Sequence, residues 1–261
     1  MKKEQLREKL AQILINGKKE MCEANIILKD FLPFDEVSKK QVRKFIGIAK
    51  KRCKNIPLQY LLKTTSFLGV VIRCNRNVLI PRPETELMTD TIIKNEKEIK
   101  NVLDLCCGSG CIGLAIKKAK NIEVDLADIS SKAIKEVKRN AVNNDLNVNI
   151  IKSDLFDKIS SKYDLIVSNP PYIKTEDLKN LQPEVKKEPK VALNGGKEGY
   201  DFYVKIIKDA PKFLNIGGKI YFEIGQGQDK EVIKLLKKGF KEITVIKDYN
   251  NIDRIICGTL I

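Results

Sequence analysis

An α/β protein, with a seven-stranded and largely parallel sheet preceded by a small helical segment and a β-hairpin, is what this sequence predicts. Three observations carry that reading. Apolar residues recur at helical spacing from residue 1 to about 62, the stretch Ser66–Ile80 switches to short β-branched runs, and from Lys100 onward apolar strands alternate with amphipathic helices.

The N-terminal part contains "LREKLAQIL", "EANIILKDFL" and "EVSKKQVRKFIGIAKKRC", each with apolar residues three or four apart, and Asp35 or Ser38 is available as an N-cap. Residues 1–64 are therefore expected to form a helical domain almost free of strand. In "SFLGVVIRCNRNVLI" the β-branched runs flank Asn75 and Asn77, which predicts a hairpin linker over 65–81 that turns there. "PRPETE", Pro81 to Glu86, breaks the strand and starts a helix, so the α/β domain is expected to span 82–261. Within it "NVLDLC", "IEVDLAD", "VNII", "YDLIVS", "KIYFEI", "EITVI" and "DRIICGTLI" read as strands. Helices are expected near 111–119, 131–144, 200–213 and 229–238.

Composition narrows the class of protein. Seven cysteines without a C-x2-C pair, and no histidine, fit neither a disulfide scaffold nor a familiar zinc site, so a reduced, cytoplasmic, metal-free protein is expected. The N-terminus alternates charged with apolar residues, unlike a signal peptide, and no apolar run reaches membrane-spanning length. The net charge of +15 has two readings, a solvated lysine coat or a surface that meets an RNA-bearing partner. Only eight of the 49 basic residues are arginine, the side chain favoured for bidentate phosphate recognition.

"LDLCCGSGCIG" places Asp104 at the end of a strand, a turn through Gly108 and Gly110, and a helix start at Cys111. Glycines let the backbone take positive φ and let a ligand approach a helix N-terminus. Asp128, eighteen residues after Gly110, supplies a carboxylate of the kind that holds an adenosine ribose. Nicotinamide dinucleotides and S-adenosylmethionine both satisfy these features. Asp104 favours the second, because an acid before the turn repels a pyrophosphate but suits a sulfonium and an ammonium; the alternative is an ordinary turn capped by Asp104. Cys106, Cys107 and Cys111 read as small residues filling a crowded turn. In "SDLF", Asp154 either accepts a hydrogen bond from an adenine amine beside Leu155, or Ser153 or Asp154 caps a helix.

"YDLIVSNPPYI" ends a core strand in Asn169, Pro170, Pro171 and Tyr172. Prolines lack N–H groups and hold φ near −65°, so the segment is stiff and its carbonyls are uncommitted. The side-chain carbonyl of Asn169 and the main-chain carbonyl of Pro170 can accept the two N–H hydrogens of a planar amino group and aim its nitrogen at a bound methyl sulfonium. Such a nitrogen is a poor nucleophile, and positioning, worth on the order of 7–11 kcal/mol, replaces a strong base. Tyr172 adds an aromatic face.

This tetrapeptide resembles the signature of amino-group methyltransferases, which include adenine-N6 and glutamine-N5 enzymes. The series "IPLQYLL", "VLIPRPETELM", "LDLCCGSGCIGLAI", "ADIS", "SDLF", "YDLIVSNPPYI", "EPKVALNGGKEGYDFY" and "FEIGQGQ", in one order along nearly the whole chain, is similar to the peptide-chain release factor glutamine N5-methyltransferases. The resemblance implies a seven-stranded Rossmann-like S-adenosylmethionine-dependent methyltransferase domain behind a helical substrate-docking domain. It implies methylation of the glutamine of a Gly-Gly-Gln motif in release factors, with S-adenosylhomocysteine as product; the rival is an adenine-N6 enzyme acting on DNA or RNA. It further implies a monomer with no membrane association and no requirement for nucleic acid.

By the same resemblance Cys106, Cys107, Gly108, Ser109, Gly110, Asp128, Asp154, Leu155 and Asn169 hold the cofactor. Asn169 and Pro170 are catalytic, Asn169 to Tyr172 bind the glutamine, and Arg82 and Glu84 order the cleft. "EPKVALNGGKEGYDFY" is expected to cover the substrate. Two positions depart from the family pattern. Cys106 stands where a glycine is usual, and either constricts the turn or occupies a tolerant position; "LLKTTSF" lacks the glycine that commonly follows Leu-Gln-Tyr.

Overall fold

The computed structural model describes residues 1–29 and 35–261, which divide into two compact units. One comprises Met1–Thr64 with Gln182–Lys187, the other Thr65–Leu181 with Glu188–Ile261. No helix among the described residues is long and apolar enough to cross a membrane.

The first unit holds helices α1 (Lys3–Asn16), α2 (Glu23–Leu28), α3 (Lys39–Arg52) and α4 (Leu58–Leu62). Leu6, Leu10 and Leu14 recur every four residues on one face of α1 and bury against Ile27, Phe45 and Ala49. Of the two predicted caps, Ser38 is the one used. Its hydroxyl accepts from the Gln41 N–H at 3.3 Å, while the Gln41 side chain accepts from the Ser38 N–H at 2.9 Å, which closes a capping box. The end of "EANIILKDFL" lies outside the described residues. Segment 182–187 belongs to this unit, and Glu184 accepts from Arg52 Nη1 at 2.8 Å and also pairs with Lys19. Lys19 and then Arg52 draw the Glu184 carboxyl down to about 2.

The second unit opens with a hairpin of β1 (Thr64–Phe67) and β2 (Val70–Arg73). The predicted turn near Asn75 and Asn77 is misplaced. The chain reverses at Leu68 and Gly69, both at positive φ (42° and 83°), whereas the Asn75 side chain accepts from the Asn77 N–H at 2.9 Å in a separate local turn. A leucine at positive φ carries no sequence signal for a two-residue turn, which is why asparagines look the better candidates.

After α5 (Pro83–Asn95) come β3 (Asn101–Leu105), α6 (Cys111–Lys120), β4 (Glu123–Asp128), α7 (Ser131–Asn143), β5 (Asn149–Lys152) and β6 (Tyr163–Ser168). They are followed by α8 (Asp201–Phe213), β7 (Leu214–Glu223), α9 (Asp229–Leu236), β8 (Phe240–Lys247) and β9 (Asp253–Leu260). The seven strands lie in the order β5-β4-β3-β6-β7-β9-β8, parallel except for β9, which runs antiparallel to both neighbours. The order reverses between β3 and β6, so the crevice outside their carboxyl ends is where an open α/β sheet binds ligands.

Register sets the residues around that crevice. Leu105 pairs with Ala127 on one side and Ser168 on the other, and Ser168 pairs with Phe222. Cys106, Asp128, Asn169 and Glu223, each one residue further on, therefore emerge side by side along one edge. Leu103, Leu105, Ile166, Ile220 and Phe222 fill the core beneath them.

Candidate active site

The edge carries a cavity of about 220 Å³ whose lining includes Cys106, Gly108, Asp128, Asp154, Leu155, Asn169 and Pro171. Seven sequence-predicted residues thus share one wall. Cys107 and Ser109 are buried in the turn itself, and Gly110, at φ 79°, is the N-cap of α6. A Cβ at Gly110 would press on Val137 at 3.1 Å, so both the conformation and the packing ask for glycine there.

The turn is tied to its neighbours by the backbone. Cys107 N–H donates to the Ala127 carbonyl at 3.0 Å, and Gly110 N–H to the Cys107 carbonyl at 2.7 Å. Asp128 receives Gly108 N–H on Oδ2 at 2.9 Å and Ser130 N–H on Oδ1 at 2.8 Å. Each carboxylate oxygen keeps a further lone pair, sufficient for two hydroxyl donors. Burial raises the Asp128 pKa, and those two backbone N–H groups oppose the rise. On the far side, the Asn140 side chain donates to the Ser109 carbonyl at 2.8 Å and accepts from the Arg73 N–H at 2.9 Å, which joins the hairpin to the turn.

Cys106 takes φ 61° in this turn. The position is left-handed, which explains a family preference for glycine, and cysteine adopts it at a cost of about 1 kcal/mol. Of the two readings of Cys106, the constraint it meets is on the backbone. Burial also pushes its thiol upward, so the sulfur is uncharged.

Asp104 is wholly buried. Its Oδ2 accepts from the Gly113 N–H at 2.9 Å, while Oδ1 has no hydrogen-bond partner among the described residues. Burial lifts its pKa to about 7, against the Gly113 bond, which lowers it. A buried carboxyl oxygen lacking a donor beside a glycine turn is a poor place for an anionic pyrophosphate and a good one for a positive charge.

"SDLF" does not start a helix. Ser153 Oγ accepts from the Lys158 N–H at 2.9 Å and closes a turn over 154–157, with Leu155 at φ 43°, so the capping alternative gives way to a loop that turns Leu155 toward the core.

Asn169 and Tyr172 are held by residues that sequence reasoning leaves without a role. Asn169 Nδ2 donates to Thr85 Oγ1 at 3.1 Å, and Thr85 Oγ1 donates to Glu223 Oε2 at 2.5 Å. Tyr172 is partly buried, with its hydroxyl 3.4 Å from Glu223 Oε1. The Tyr172 carbonyl accepts from Gln228 Nε2 at 3.1 Å, which also donates to the Gly199 carbonyl at 3.2 Å. Ile173 exchanges main-chain bonds with Leu193 (3.0 Å) and Gly195 (2.8 Å), and a Cβ at Gly195 would lie 2.6 Å from Tyr172 Cα. Among the described residues, no group donates to Asn169 Oδ1 or to the Pro170 carbonyl.

The loop 188–202 borders the same cavity, which Pro189, Val191, Ala192 and Phe202 line. Arg82 pairs with the buried Glu188, whose other oxygen accepts from the Ile80 N–H at 3.0 Å. Arg82 thus anchors the start of that loop. Glu84 is half-buried in the first turn of α5 and touches the site through its charge, which raises the Glu223 pKa.

The fold and this edge define the α/β methyltransferase class. A family model described as the methyltransferase small domain matches residues 83–194. A methyltransferase of Pyrococcus furiosus superimposes with a TM-score of 0.58 at 19% identity, covering 73% of this chain and 89% of that one, and shares the fold. A release factor glutamine methyltransferase of Thermodesulfovibrio yellowstonii is 43% identical over 85% of this chain and 82% of its own. One of Clostridium botulinum is 39% identical over 86% and 83%. The chain belongs to the release factor glutamine methyltransferase family.

Proposed function

We propose that the enzyme methylates the side-chain amide nitrogen, N5, of the glutamine in the Gly-Gly-Gln motif of peptide-chain release factors. One observation carries this reading. Asn169 Oδ1 and the Pro170 carbonyl, on consecutive residues at the switch point, are two acceptors with no donor among the described residues, which matches the two N–H hydrogens of one planar amino group.

The residues present fit the cofactor. Asp128 keeps lone pairs for ribose hydroxyls, Leu155 offers an apolar wall and Asp154 an acceptor for adenine, and Gly108 leaves the turn open, with none of the described residues beyond its chain neighbours within 4 Å of where a Cβ would stand. Cys106, Cys107, Ser109 and Gly110 supply the backbone of that turn, and the donorless oxygen of Asp104 favours a cation beside it. When bound, S-adenosylmethionine supplies an electrophilic methyl group.

The chain's own residues supply position. Asn169 and Pro170 take one amide hydrogen each, which fixes the plane of the substrate amide, and Pro171 keeps that pair rigid. As the nitrogen takes the methyl group and gains positive character, the same two carbonyl dipoles stabilise it, and one of its two hydrogens then leaves as a proton to give the N-methyl amide. Tyr172 borders the amide with its ring. Loop 188–202 covers the cleft and excludes water.

Adenine presents the same two hydrogens on its exocyclic nitrogen, and family membership favours the glutamine. Incubation with a labelled methyl donor and, separately, release factors, DNA and RNA tests the choice. Label on the glutamine of Gly-Gly-Gln is expected; label in nucleic acid alone would overturn the reading.

A further inference from the structure

We propose that Thr85 and Glu223 form a positioning relay that sets the Asn169 carboxamide with its oxygen, and not its NH2 group, toward the substrate. The inference rests on the amide-methylation reading. Thr85 lies in the first turn of α5 and Glu223 ends β7; both are buried and neither belongs to the Asn-Pro-Pro-Tyr segment.

The direction of the relay follows from counting hydrogens. Thr85 has one hydroxyl hydrogen and two polar partners, Glu223 Oε2 at 2.5 Å and Asn169 Nδ2 at 3.1 Å. An ionised carboxylate only accepts, so the hydrogen points to Glu223 in a short, charge-assisted bond. What remains toward Asn169 is a lone pair, which an N–H can meet and a carbonyl cannot. Turning the amide by half a rotation would set oxygen against oxygen. Asn169 Oδ1 is thereby left to the substrate, whose own NH2 hydrogens need an acceptor; a flipped Asn169 would face them with hydrogens.

Protonation of Glu223 removes this direction. A neutral carboxyl can donate to Thr85, the Thr85 hydrogen is then free for Asn169, and both amide orientations are satisfied. Several groups face Glu223. Glu84 of α5 raises its pKa, while Arg254 of β9 and the Thr85 and Asn169 bonds lower it. The Tyr172 hydroxyl approaches Oε1, the Tyr203 hydroxyl of α8 donates to the Glu223 main chain at 2.8 Å, and Cys111 of α6 is close enough to feel its charge. Burial outweighs the lowering influences and puts the carboxyl at about 7. The active, ionised form is therefore gained as pH rises through that value. The chain has no histidine, and Asp104 beneath the glycine turn is a second carboxyl that burial raises to about 7.

The test uses the full chain and a release factor substrate, with Thr85→Val, Thr85→Ser and Glu223→Gln, from pH 6 to 8.5. Thr85→Val should lower kcat roughly tenfold while KM for the release factor stays within about threefold, and Thr85→Ser should restore kcat to within about twofold of wild type. Wild-type kcat should climb with pH through about 7, and Glu223→Gln should reduce the climb to the part that Asp104 sets. Equal damage in the valine and serine variants, or an acid limb that Glu223→Gln leaves unchanged, would overturn the relay. If wild type methylates no release factor, the functional reading fails alone. The relay is then read from the Asn169 side-chain amide by 15N NMR, where an inflection near pH 7 in wild type and its loss in Thr85→Val and Glu223→Gln are expected. An inflection unchanged by both substitutions would overturn it.

Discussion

The turn at Cys106–Gly110 and the segment Asn169–Tyr172 lie side by side at one sheet edge, yet they are held in opposite ways. The turn is held locally. Its bonds run to itself, to the end of the adjacent strand at Ala127 and Asp128, and to Asn140, and it accepts a cysteine at φ 61° to close. Pro170 and Pro171 have no N–H to bond with, so Asn169–Tyr172 has to be fixed through carbonyls and side chains from far along the chain. Thr85 is 84 residues away and Gln228 is 56. The contrast separates two requirements. A cofactor turn needs backbone N–H groups presented at close range, whereas an acceptor for a substrate amide needs carbonyls that nothing else occupies, and outside clamps leave them vacant.

If the outside clamps matter as described, crowding them should do the most damage. Gly195→Ala puts a Cβ 2.6 Å from Tyr172 Cα, where only backbone can give way. A shift near 1 Å at the reacting centre should cost at least about a hundredfold in kcat, and thermal unfolding should show a loss of roughly 1–3 kcal/mol. Retained activity would mean that Tyr172 does not need this clamp. Gln228→Ala removes the two bonds that Nε2 donates, to Tyr172 and Gly199, and the one that Oε1 accepts from the Gly225 N–H at 2.9 Å. Denaturant titration should register about 1–2 kcal/mol, with kcat reduced roughly tenfold and cofactor affinity unchanged within about threefold.

A titration touches both regions at once. Asp104 beneath the turn and Glu223 behind the segment both have pKa values raised by burial to about 7, against the lower values they take in the unfolded chain. The folded state therefore binds more protons than the unfolded state between about 4 and 7, so stability is lost as pH rises through 7. Chemical denaturation of the ligand-free protein at pH 6 and 8 should show a gain of roughly 1–3 kcal/mol at the lower pH. Glu223→Gln should shrink that gain while the Asp104 share persists. The smallest effect belongs to the turn, where Cys106→Gly should relieve its left-handed backbone. The unfolding free energy should rise by up to about 1 kcal/mol, less the entropy that glycine adds to the unfolded chain.

The same division explains what was legible in the sequence. The alternation of strands and helices, the glycine turn, Asp128 and Asn169 are local patterns, written in contiguous residues. The hairpin turn was not, because Leu68 at φ 42° lacks the residue type that marks a turn, while Asn75 and Asn77 have it. "SDLF" carried a cap signature, yet Ser153 closes a loop instead, since the chain has only ten residues between β5 and β6. Thr85, Gly195, Glu223 and Gln228 sit inside the quoted motifs "PRPETE", "ALNGG" and "FEIGQGQ". Their roles come from sheet register and remote packing, which place Glu223 beside Asn169 and Gly195 against Tyr172. No periodicity or spacing in one chain expresses that.

Asn169 is where local legibility and remote support meet, and Asn169→Ala tests directly whether the amide works by holding the substrate nitrogen. Equilibrium binding of S-adenosylmethionine and single-turnover methylation of a release factor should be measured on the same preparation. Cofactor affinity should stay within a few fold of wild type, while turnover falls at least about a hundredfold. Equal losses in binding and turnover would place Asn169 in the cofactor site alone and contradict its role as the acceptor that aims the glutamine.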